Sequence, residues 1–536
     1  MSLEFLNTCQ RFIGKPPSEE DALIAYAEMS DEYRAFVSEA TFVDYLKNPS
    51  QGSFMMHDYE GGGVSGIKSG ATQFAGVRVN MDLVPIDLPI DIYCKPNIDR
   101  LPSFEAVLIT RISPLHCLKK GISEFEFFKM INKEMSFPYT CTTGYNSAKY
   151  DDVMSRSGFF ANLLPVYDRE WKNGNSRWDI YRVILAYYAL RPEGINWPAG
   201  QGDRVASMRL EDIAKANGIV QENAHNAVDD VLAMIDVCRL LRRANKELWD
   251  YLFCNRGKLK IQDFIGASLS NSKPLIYVNA YAGIDKRFIS VVMPISVPVG
   301  DKNECVFVDL SGDVSKLLSL DPVKIKELLY SSKDQLAQTN VSRPPIGKLK
   351  VNQLPVILPF SAIKDESVRQ SAGINLDVIK SNLLLVQSSL DEIGNMLMEV
   401  YRKTRYDDNN PYVEDTVYSA GFPAKWDGNN MEKVCYLSIE EIAANPLSFS
   451  TPHLAALQKR LIGLHAPKSL SASDYQAFRA LAIEKLTSPK DEDRVTIESV
   501  EIDIEKSEKS EEPYVKALVA DYKEYLHYVK QWMAEA

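Results

Sequence analysis

The stretch FMMHDYEGGG, residues 54–63, places two carboxylates two positions apart at the end of an apolar run. Successive side chains of a β-strand alternate between faces, so Asp58 and Glu60 are predicted to point to the same side. Converging carboxylates repel each other unless a cation neutralises them, and hard oxygen ligands suit Mg²⁺ or Mn²⁺. The glycines at 61–63 would let another backbone approach closely. The stretch predicts a divalent metal site; a strand end with two solvated acids is the alternative.

Two later stretches contain acids that such a site needs. GYNSAKYDD brings Asp151 and Asp152 after a turn-like segment, and ENAHNAVDDVLAMIDVCRLL has the pattern of an amphipathic helix. In that helix His225 precedes Asp230 by five residues. On a regular helix this spacing separates the two side chains by about 140° around the helix axis. His225 must therefore lie in the lead-in or first turn to share a site with Asp230. Spacing alone does not decide between Asp151 and Asp152, or between Asp229 and Asp230.

The order of these elements is D-x-E on a first strand, an aspartate in the middle, and H-x-x-x-x-D on a late helix. That order resembles the DEDDh exonucleases, which have a ribonuclease H-like fold, and most closely a bacterial branch of them. The resemblance covers roughly residues 54–400 and lies in the stretches HDYE, QFAGVR, YCKP, VLITRISP, GYNSAKYDD, NSRWD, YALRPEGINWP, RLEDIAKANGI, NAHNAVDDV and DYLFCNRGK.

The resemblance implies an α/β protein with three parts that clasp single-stranded DNA in the family. They are a ribonuclease H-like DEDDh exonuclease domain, an SH3-like β domain and an α-helical C-terminal domain. An extra N-terminal helical segment precedes them. The predicted bounds are 1–50 for the N-terminal helical extension, 51–245 for the exonuclease domain, 246–368 for the SH3-like domain and 369–536 for the helical C-terminal domain.

The resemblance also implies roles for individual residues. It selects Asp151 over Asp152 and Asp230 over Asp229, and it makes His225 the general base. The implied ligands of two Mg²⁺ ions, which Mn²⁺ can replace, are Asp58, Glu60, Asp151 and Asp230. The implied reaction is 3′-to-5′ hydrolysis of single-stranded DNA to 5′-mononucleotides, in DNA repair or recombination. The alternatives are an RNA-directed exonuclease and a catalytically silent single-stranded-DNA-binding regulator.

Aromatic and polar side chains near these motifs are candidates for DNA contacts, because bases stack on aromatic rings and phosphates attract cations. The candidate substrate-binding residues are Thr110, Tyr145, Asn146, Tyr150, Arg177 and Trp178. Trp197 is a further aromatic candidate. The alternative for each of these aromatic residues is that its side chain packs in the core. In the family, basic positions also bind the acidic tail of single-stranded-DNA-binding protein, and Arg191 is the candidate for that contact.

Two segments depart from the family pattern where the terminal nucleotide is expected to bind. The family continues the first motif as D-Y-E-T-F-G, whereas this sequence has Gly61, Gly62 and Gly63 after Glu60. The family has glycine where Arg111 stands in ITRIS. We therefore expect the family's chemistry with altered recognition of the 3′ end.

Composition and charge limit the classes of partner. The net charge of −11 is concentrated in residues 491–512, which contain ten acidic and three basic residues. Residues 239–260 contain seven basic and two acidic residues and could follow a phosphate backbone. No apolar run reaches the roughly 18–20 residues that cross a bilayer, and the eight cysteines form no C-x-x-C pair. We expect a cytoplasmic monomer without a membrane partner.

Periodicity predicts the elements that position the motifs. Residues 1–50 have a helical pattern, which predicts either a hairpin docked on the nuclease domain through Phe36, Phe42 and Leu46 or an acidic gate over the DNA path. Three strand-like runs follow, a β-rich module extends from about 245 to 365, and the remainder is helical. The acidic run 491–512 is predicted to be a solvated loop.

Overall fold

The computed structural model describes residues 4–200, 206–219, 227–298, 300–339, 341–402 and 410–535. The chain forms two compact units, one of residues 1–177, 221–235 and 408–536 and the other of residues 178–220 and 236–407. This division follows packing and does not test the four predicted domain bounds, which remain predictions. No helix among the described residues is both long and apolar enough to cross a bilayer.

The N-terminal segment is helical, as its pattern predicts. Its four helices are α1 (Glu4–Arg11), α2 (Glu19–Ala27), α3 (Asp31–Phe36) and α4 (Glu39–Lys47). Ser18, Ser30 and Ser38 each accept a backbone N–H in the first turn of the following helix, which satisfies a donor that the helix itself leaves unpaired.

These helices dock on the rest of the first unit through a shared apolar cluster. Ile86 and Phe137 join that cluster, and the Tyr33 hydroxyl donates to the Ile86 carbonyl at 2.6 Å. Phe42 and Leu46 are buried as predicted, whereas Phe36 is 42% exposed. The prediction that Phe36 docks is therefore wrong, because Tyr33 and Val37, the residue after Phe36, take the buried positions.

A five-stranded mixed sheet carries the predicted site. Its strands are β1 (Ser53–Gly61), β2 (Ala71–Asn80), β3 (Ile90–Tyr93), β4 (Thr140–Gly144) and β5 (Ser176–Asp179), in the order β3-β2-β1-β4-β5. β1 is antiparallel to β2 and parallel to β4. The buried Arg78 donates to Ser53 at 3.0 Å, to Thr140 at 2.9 Å and to the carboxylate of Glu134 at 2.9 Å. These bonds fix the beginning of β1 between its two neighbours.

Helices lie before, between and after these strands, as an α/β pattern predicts. In chain order they are α5 (Phe104–Thr110), α6 (Pro114–Lys120), α7 (Glu124–Met135), α8 (Asp151–Ala161), α9 (Ile180–Leu190), α10 (Leu210–Ala216), α11 (Ala227–Ala244), α12 (Lys246–Cys254) and α13 (Lys258–Asn271). Helix α11 confirms the predicted amphipathic helix that contains Asp230.

The second unit contains an antiparallel sheet, which confirms the predicted β-rich module. Its strands are β6 (Leu275–Val278), β7 (Ile289–Ile295), β8 (Glu304–Asp309), β9 (Ile346–Lys350) and β10 (Val356–Pro359), in the order β10-β6-β7-β8-β9. Ile261 of α13 packs with Val292 and Phe307 of this sheet. The accompanying helices are α14 (Val314–Leu318), α15 (Pro322–Tyr330), α16 (Lys333–Thr339), α17 (Glu366–Ser371), α18 (Leu376–Ser388) and α19 (Leu390–Val400).

The C-terminal part is helical, and the acidic run belongs to it. Its helices are α20 (Lys425–Val434), α21 (Ile439–Ala444), α22 (Pro452–His465), α23 (Ala472–Thr487), α24 (Ile497–Ser507) and α25 (Pro513–Ala534). The prediction of a solvated loop over 491–512 is wrong. Ile497, Val500 and Ile504 lie on one buried face of α24, and a capping box starts the helix at Thr496.

A buried ion network joins these C-terminal helices to the segment after β3. Asp99 pairs with Arg460 of α22 at 2.9 Å and with Lys485 of α23 at 2.9 Å. Glu414 also pairs with Lys485, and all four side chains are almost completely buried. Because buried charges are costly unless paired, this network fixes α22 and α23 against the nuclease part of the first unit.

Deleting residues 1–50 should lower the melting temperature, because it uncovers Ile86 and Phe137 and removes the Tyr33 hydrogen bond. Turnover per folded molecule should change little. Thermal unfolding and nuclease assays on the truncated and full-length proteins test this. An unchanged melting temperature with faster digestion, most evident at low salt where repulsion is least screened, would contradict docking and support the gate.

Candidate active site

The end of β1 presents its two acids on one side, as the alternation predicts. Phe54, Met55 and Met56 are buried, whereas Asp58 and Glu60 are half-buried. Strand β4 pairs with β1 only from Ser53 to Met56. The second half of β1 therefore extends past the paired part of β4, and space remains there for other elements to reach the two carboxylates.

Helix α11 brings Asp230 to the same place. One carboxylate oxygen from each of Asp58, Glu60 and Asp230 lies within 4.8 Å of the others. Asp229, the preceding residue, does not join this group. The geometry therefore supports Asp230 over Asp229.

Helix α8 begins at the DD pair, and its two aspartates have different hydrogen-bond and ion-pair partners. Asp151 accepts the backbone N–H of Tyr59, the residue between the two acids of β1, at 3.2 Å. Asp152 instead pairs with Arg169 at 2.8 Å and with Arg177. Both aspartates are buried, but among the residues that the structure describes only Asp152 is paired with arginines. The geometry supports Asp151 as the acid that faces the site.

Burial and mutual repulsion raise the pKa values of the carboxylates in this group. Burial and the charge of Asp230 raise the pKa of Asp58 to about 7. Burial, Asp58 and Asp230 raise the pKa of Glu60 to about 8. Burial and then Asp58 raise the pKa of Asp151 well above its usual range. Close, partly desolvated carboxylates of this kind fit a hard divalent cation, which would favour their ionised form.

Close approach around the glycines is confirmed, and it involves Tyr150. A Cβ on Gly62 would lie 2.7 Å from the carbonyl oxygen of Ser69, and a Cβ on Gly61 would overlap the hydroxyl of Tyr150. That hydroxyl donates to the carbonyl of Gly63 at 2.7 Å. Tyr150 is half-buried at the start of α8.

Three other predicted substrate residues lie on loops or at a helix end. Thr110 is the last residue of α5, and its hydroxyl accepts the N–H of Ile112 at 3.3 Å. Tyr145 is half-buried and Asn146 is exposed with a φ of 58°, both in the connection from β4 to α8. Arg111, the departure from glycine, has a φ of 59° and holds its guanidinium 4.8 Å from the Tyr514 ring centroid.

Two predicted DNA contacts, Arg177 and Trp178, have buried side chains. Arg177 pairs with Asp152 and, at 2.9 Å, with Glu170, so its charge is balanced within the protein. Trp178 is only 4% exposed and packs edge-to-face on Trp249 with ring centroids 4.7 Å apart. Their contacts with DNA stay predictions.

Trp197 and Arg191 each donate a hydrogen bond to a nearby backbone carbonyl. Trp197 is half-buried and donates from its indole to the Pro192 carbonyl at 3.0 Å. Arg191 is half-buried and donates to the Leu190 carbonyl at 2.6 Å. His225 lies outside the described residues, so its role as general base remains a prediction.

Sequence reasoning missed the partners that separate the two aspartates of the DD pair. Arg169 donates to Asp152 and, at 2.9 Å, to Thr142 of β4, and it is fully buried. No local motif marks it, because its partners lie 17 and 27 positions away in the chain.

Comparison with known proteins covers most of the chain. The family model described as Exonuclease matches residues 55–238, that of the Exonuclease I SH3-like domain matches 256–403, and that of the Exonuclease I C-terminal domain matches 411–532. These matches confirm the predicted order of the three domain types. Helices α1–α4 precede all the matched segments.

Curated and solved relatives agree with these matches. The chain is 35% identical to Exodeoxyribonuclease I of Haemophilus influenzae over 436 residues, which is 81% of this chain and 91% of the relative. A zinc-bound Escherichia coli ExoI–ssDNA complex is similar with a TM-score of 0.81 and 29% identity, covering 89% of this chain and 99% of that one. A structure titled ExoI/SSB-Ct complex has a TM-score of 0.79, 29% identity and the same coverage.

Exchanging each aspartate of the DD pair should separate their roles. Asp151→Asn should abolish hydrolysis without loss of stability, because Asp151 is paired with no arginine in the described network. Asp152→Asn breaks buried pairs with Arg169 and Arg177 and should cost about 3–5 kcal/mol of stability. Thermal unfolding and activity per folded molecule distinguish the variants. Loss of hydrolysis in Asp152→Asn at normal stability, with activity kept in Asp151→Asn, would show that Asp152 is the catalytic aspartate.

Without metal, the charge of Asp58 should destabilise the fold more as pH rises. The folded pKa of about 7 exceeds that of an unfolded aspartate, about 4, so the folded state binds more protons between these values and loses stability as pH rises through them. In EDTA, Asp58→Asn should therefore raise the melting temperature more at pH 8 than at pH 5. The control Asp82→Asn, at an exposed aspartate, should show no such trend. A pH-independent effect of Asp58→Asn would contradict the raised pKa.

Proposed function

We propose that this chain, which belongs to the exodeoxyribonuclease I family, hydrolyses single-stranded DNA from the 3′ end and releases nucleoside 5′-monophosphates. The observation that carries the proposal is the convergence of Asp58, Glu60 and Asp230 within 4.8 Å, with Asp151 held beside them. The name of the Haemophilus relative and the ssDNA complex of the Escherichia coli protein support the same substrate here.

The acidic cluster is proposed to hold two Mg²⁺ ions, which Mn²⁺ can replace. When bound, two divalent ions stabilise both the attacking and the leaving oxygen of a phosphodiester displacement. Asp58 would contact both ions, Glu60 and Asp230 would complete the ligands of one, and Asp151 would support the other. The raised pKa values of Asp58 and Glu60 support this assignment, because ion binding would be coupled to the release of protons from these groups.

His225 is proposed to accept the proton of the attacking water. Histidine suits this role because an imidazole titrates near neutral pH. The proposal rests on its position five residues before Asp230 in the H-x-x-x-x-D motif.

Several further contacts are proposed for DNA and for a protein partner. Thr110, Tyr145 and Asn146 remain candidates at the 3′ end, and the basic residues of 239–260 are candidates for the phosphate backbone. The ExoI/SSB-Ct structure supports the tail of single-stranded-DNA-binding protein as a partner, with Arg191 as its candidate contact. All eight cysteines are free thiols, which is compatible with the proposed cytoplasmic location.

Assays on matched single-stranded DNA and RNA oligonucleotides, with Mg²⁺ and then with EDTA, test the proposal. We expect Mg²⁺-dependent release of mononucleotides from DNA, loss of activity in EDTA, and little digestion of RNA. Comparable digestion of RNA would favour the RNA-directed alternative. DNA binding without hydrolysis would favour a silent regulator.

Two substitutions test the assigned residues. Asp230→Asn should abolish hydrolysis, whereas Asp229→Asn, its neighbour outside the carboxylate group, should retain it. His225→Ala should lower the rate by about 10²–10⁴-fold, the usual range for a general base, with DNA affinity little changed. Loss of DNA binding at unchanged rate constants would show that His225 holds substrate instead.

A further inference from the structure

The last residue of β1 and the loop from β1 to β2, together residues 61–70, press on the first turn of α8. A Cβ on Gly66 would lie 3.1 Å from both the Met154 nitrogen and the Tyr150 carbonyl oxygen, and a Cβ on Gly61 would overlap the Tyr150 hydroxyl. A side chain at 66 would be tighter than an ordinary contact with the backbone of α8, and a side chain at 61 would force the phenol to move. The loop and the helix start are therefore built as one packed element.

We infer that Tyr150 is a positioning residue that holds this loop, and with it the acidic end of β1, against the helix that supplies Asp151. Its hydroxyl donates to the Gly63 carbonyl at 2.7 Å, just beyond the end of β1. The next residue, Asp151, accepts the N–H of Tyr59 within β1 at 3.2 Å. Tyr150, which precedes α8, and Asp151, its first residue, thus bond to the chain on both sides of Glu60.

Such a clamp has a physical purpose in this site. Asp58, Glu60, Asp151 and Asp230 lie close together and raise one another's free energy when ionised. Neutral hydrogen bonds between their elements, together with the apolar packing of α8 on β1, oppose this repulsion before an ion binds. Preorganisation of the ligand oxygens lowers the cost of ion binding. This inference rests on the proposed two-ion function.

The clamp also accounts for the departure at residue 61. The resemblance to the DEDDh exonucleases implies threonine after D-Y-E, whereas this chain has Gly61. Here the phenol oxygen of Tyr150 occupies the position that a side chain at 61 would take. A threonine at 61 and the observed placement of Tyr150 are therefore incompatible.

The primary test is Tyr150→Phe, which removes one oxygen atom and keeps the ring. Binding of Mn²⁺ alone, measured by calorimetry without DNA, should weaken by about 2- to 10-fold, the effect of one neutral hydrogen bond. The kcat should fall while the KM for an oligonucleotide stays constant. Unchanged Mn²⁺ affinity would overturn the inference. A raised KM with unchanged Mn²⁺ affinity would instead show that Tyr150 binds the DNA end.

A matched control loosens the same loop at its far end. Lys68 pairs with Asp491 at 2.7 Å and Asp493 at 3.1 Å, and Lys68→Ala removes both contacts without touching Tyr150. Its Mn²⁺ affinity should equal that of the unaltered protein. If Lys68→Ala weakened Mn²⁺ binding as much as Tyr150→Phe, general loosening of the loop would explain both results and the specific role of Tyr150 would be wrong.

A double-mutant cycle tests the shared space at residue 61. Gly61→Ala should displace the phenol and weaken Mn²⁺ binding, and the double variant with Tyr150→Phe should be no weaker than Gly61→Ala alone. Additive losses would contradict the inference, since independent sites add. If the unaltered protein bound no Mn²⁺, the proposed two-ion function itself would be refuted. Normal binding with no effect of Tyr150→Phe would refute only the clamp.

Discussion

Mutual repulsion among partly buried carboxylates is the constraint that the first unit must withstand. Asp58, Glu60 and Asp230 bring oxygens within 4.8 Å of one another, and burial raises the cost of every charge. Without stabilising interactions elsewhere in the fold, this repulsion would move the carboxylates apart. The sheet and helices around them must therefore supply enough packing and hydrogen bonding to hold an arrangement that is unfavourable without a divalent ion.

The structure manages this charge by sorting its acids. Arg169 and Arg177 neutralise Asp152 inside the protein, whereas Asp151 is paired with no arginine in the described part of the chain. Arg78 fixes the beginning of β1 by bonds to Ser53 and Thr140. The site lies at the other end of that strand, and its position follows from interior ion pairs as well as from apolar packing.

Local pattern was sufficient where the relevant neighbours are close in sequence. Alternation along β1 placed Asp58 and Glu60 on one side, and the helical period located α11 around Asp230. It could not separate Asp151 from Asp152, which share the first turn of α8, because the arginines that distinguish them come from distant segments. The interior ion pair of Arg177 could not be predicted for the same reason, since nothing in NSRWD shows that this cation pairs with Asp152. The acidic run 491–512 was misjudged because its charges obscured the apolar spacing of Ile497, Val500 and Ile504.

Anomalous X-ray scattering from crystals soaked in Mn²⁺ is the direct test of the proposal that these acids bind two divalent ions. We expect two manganese peaks, both in contact with Asp58, one also with Glu60 and Asp230, and the other beside Asp151. Crystals that show no peak at these carboxylates, or manganese bound only elsewhere on the protein, would contradict it.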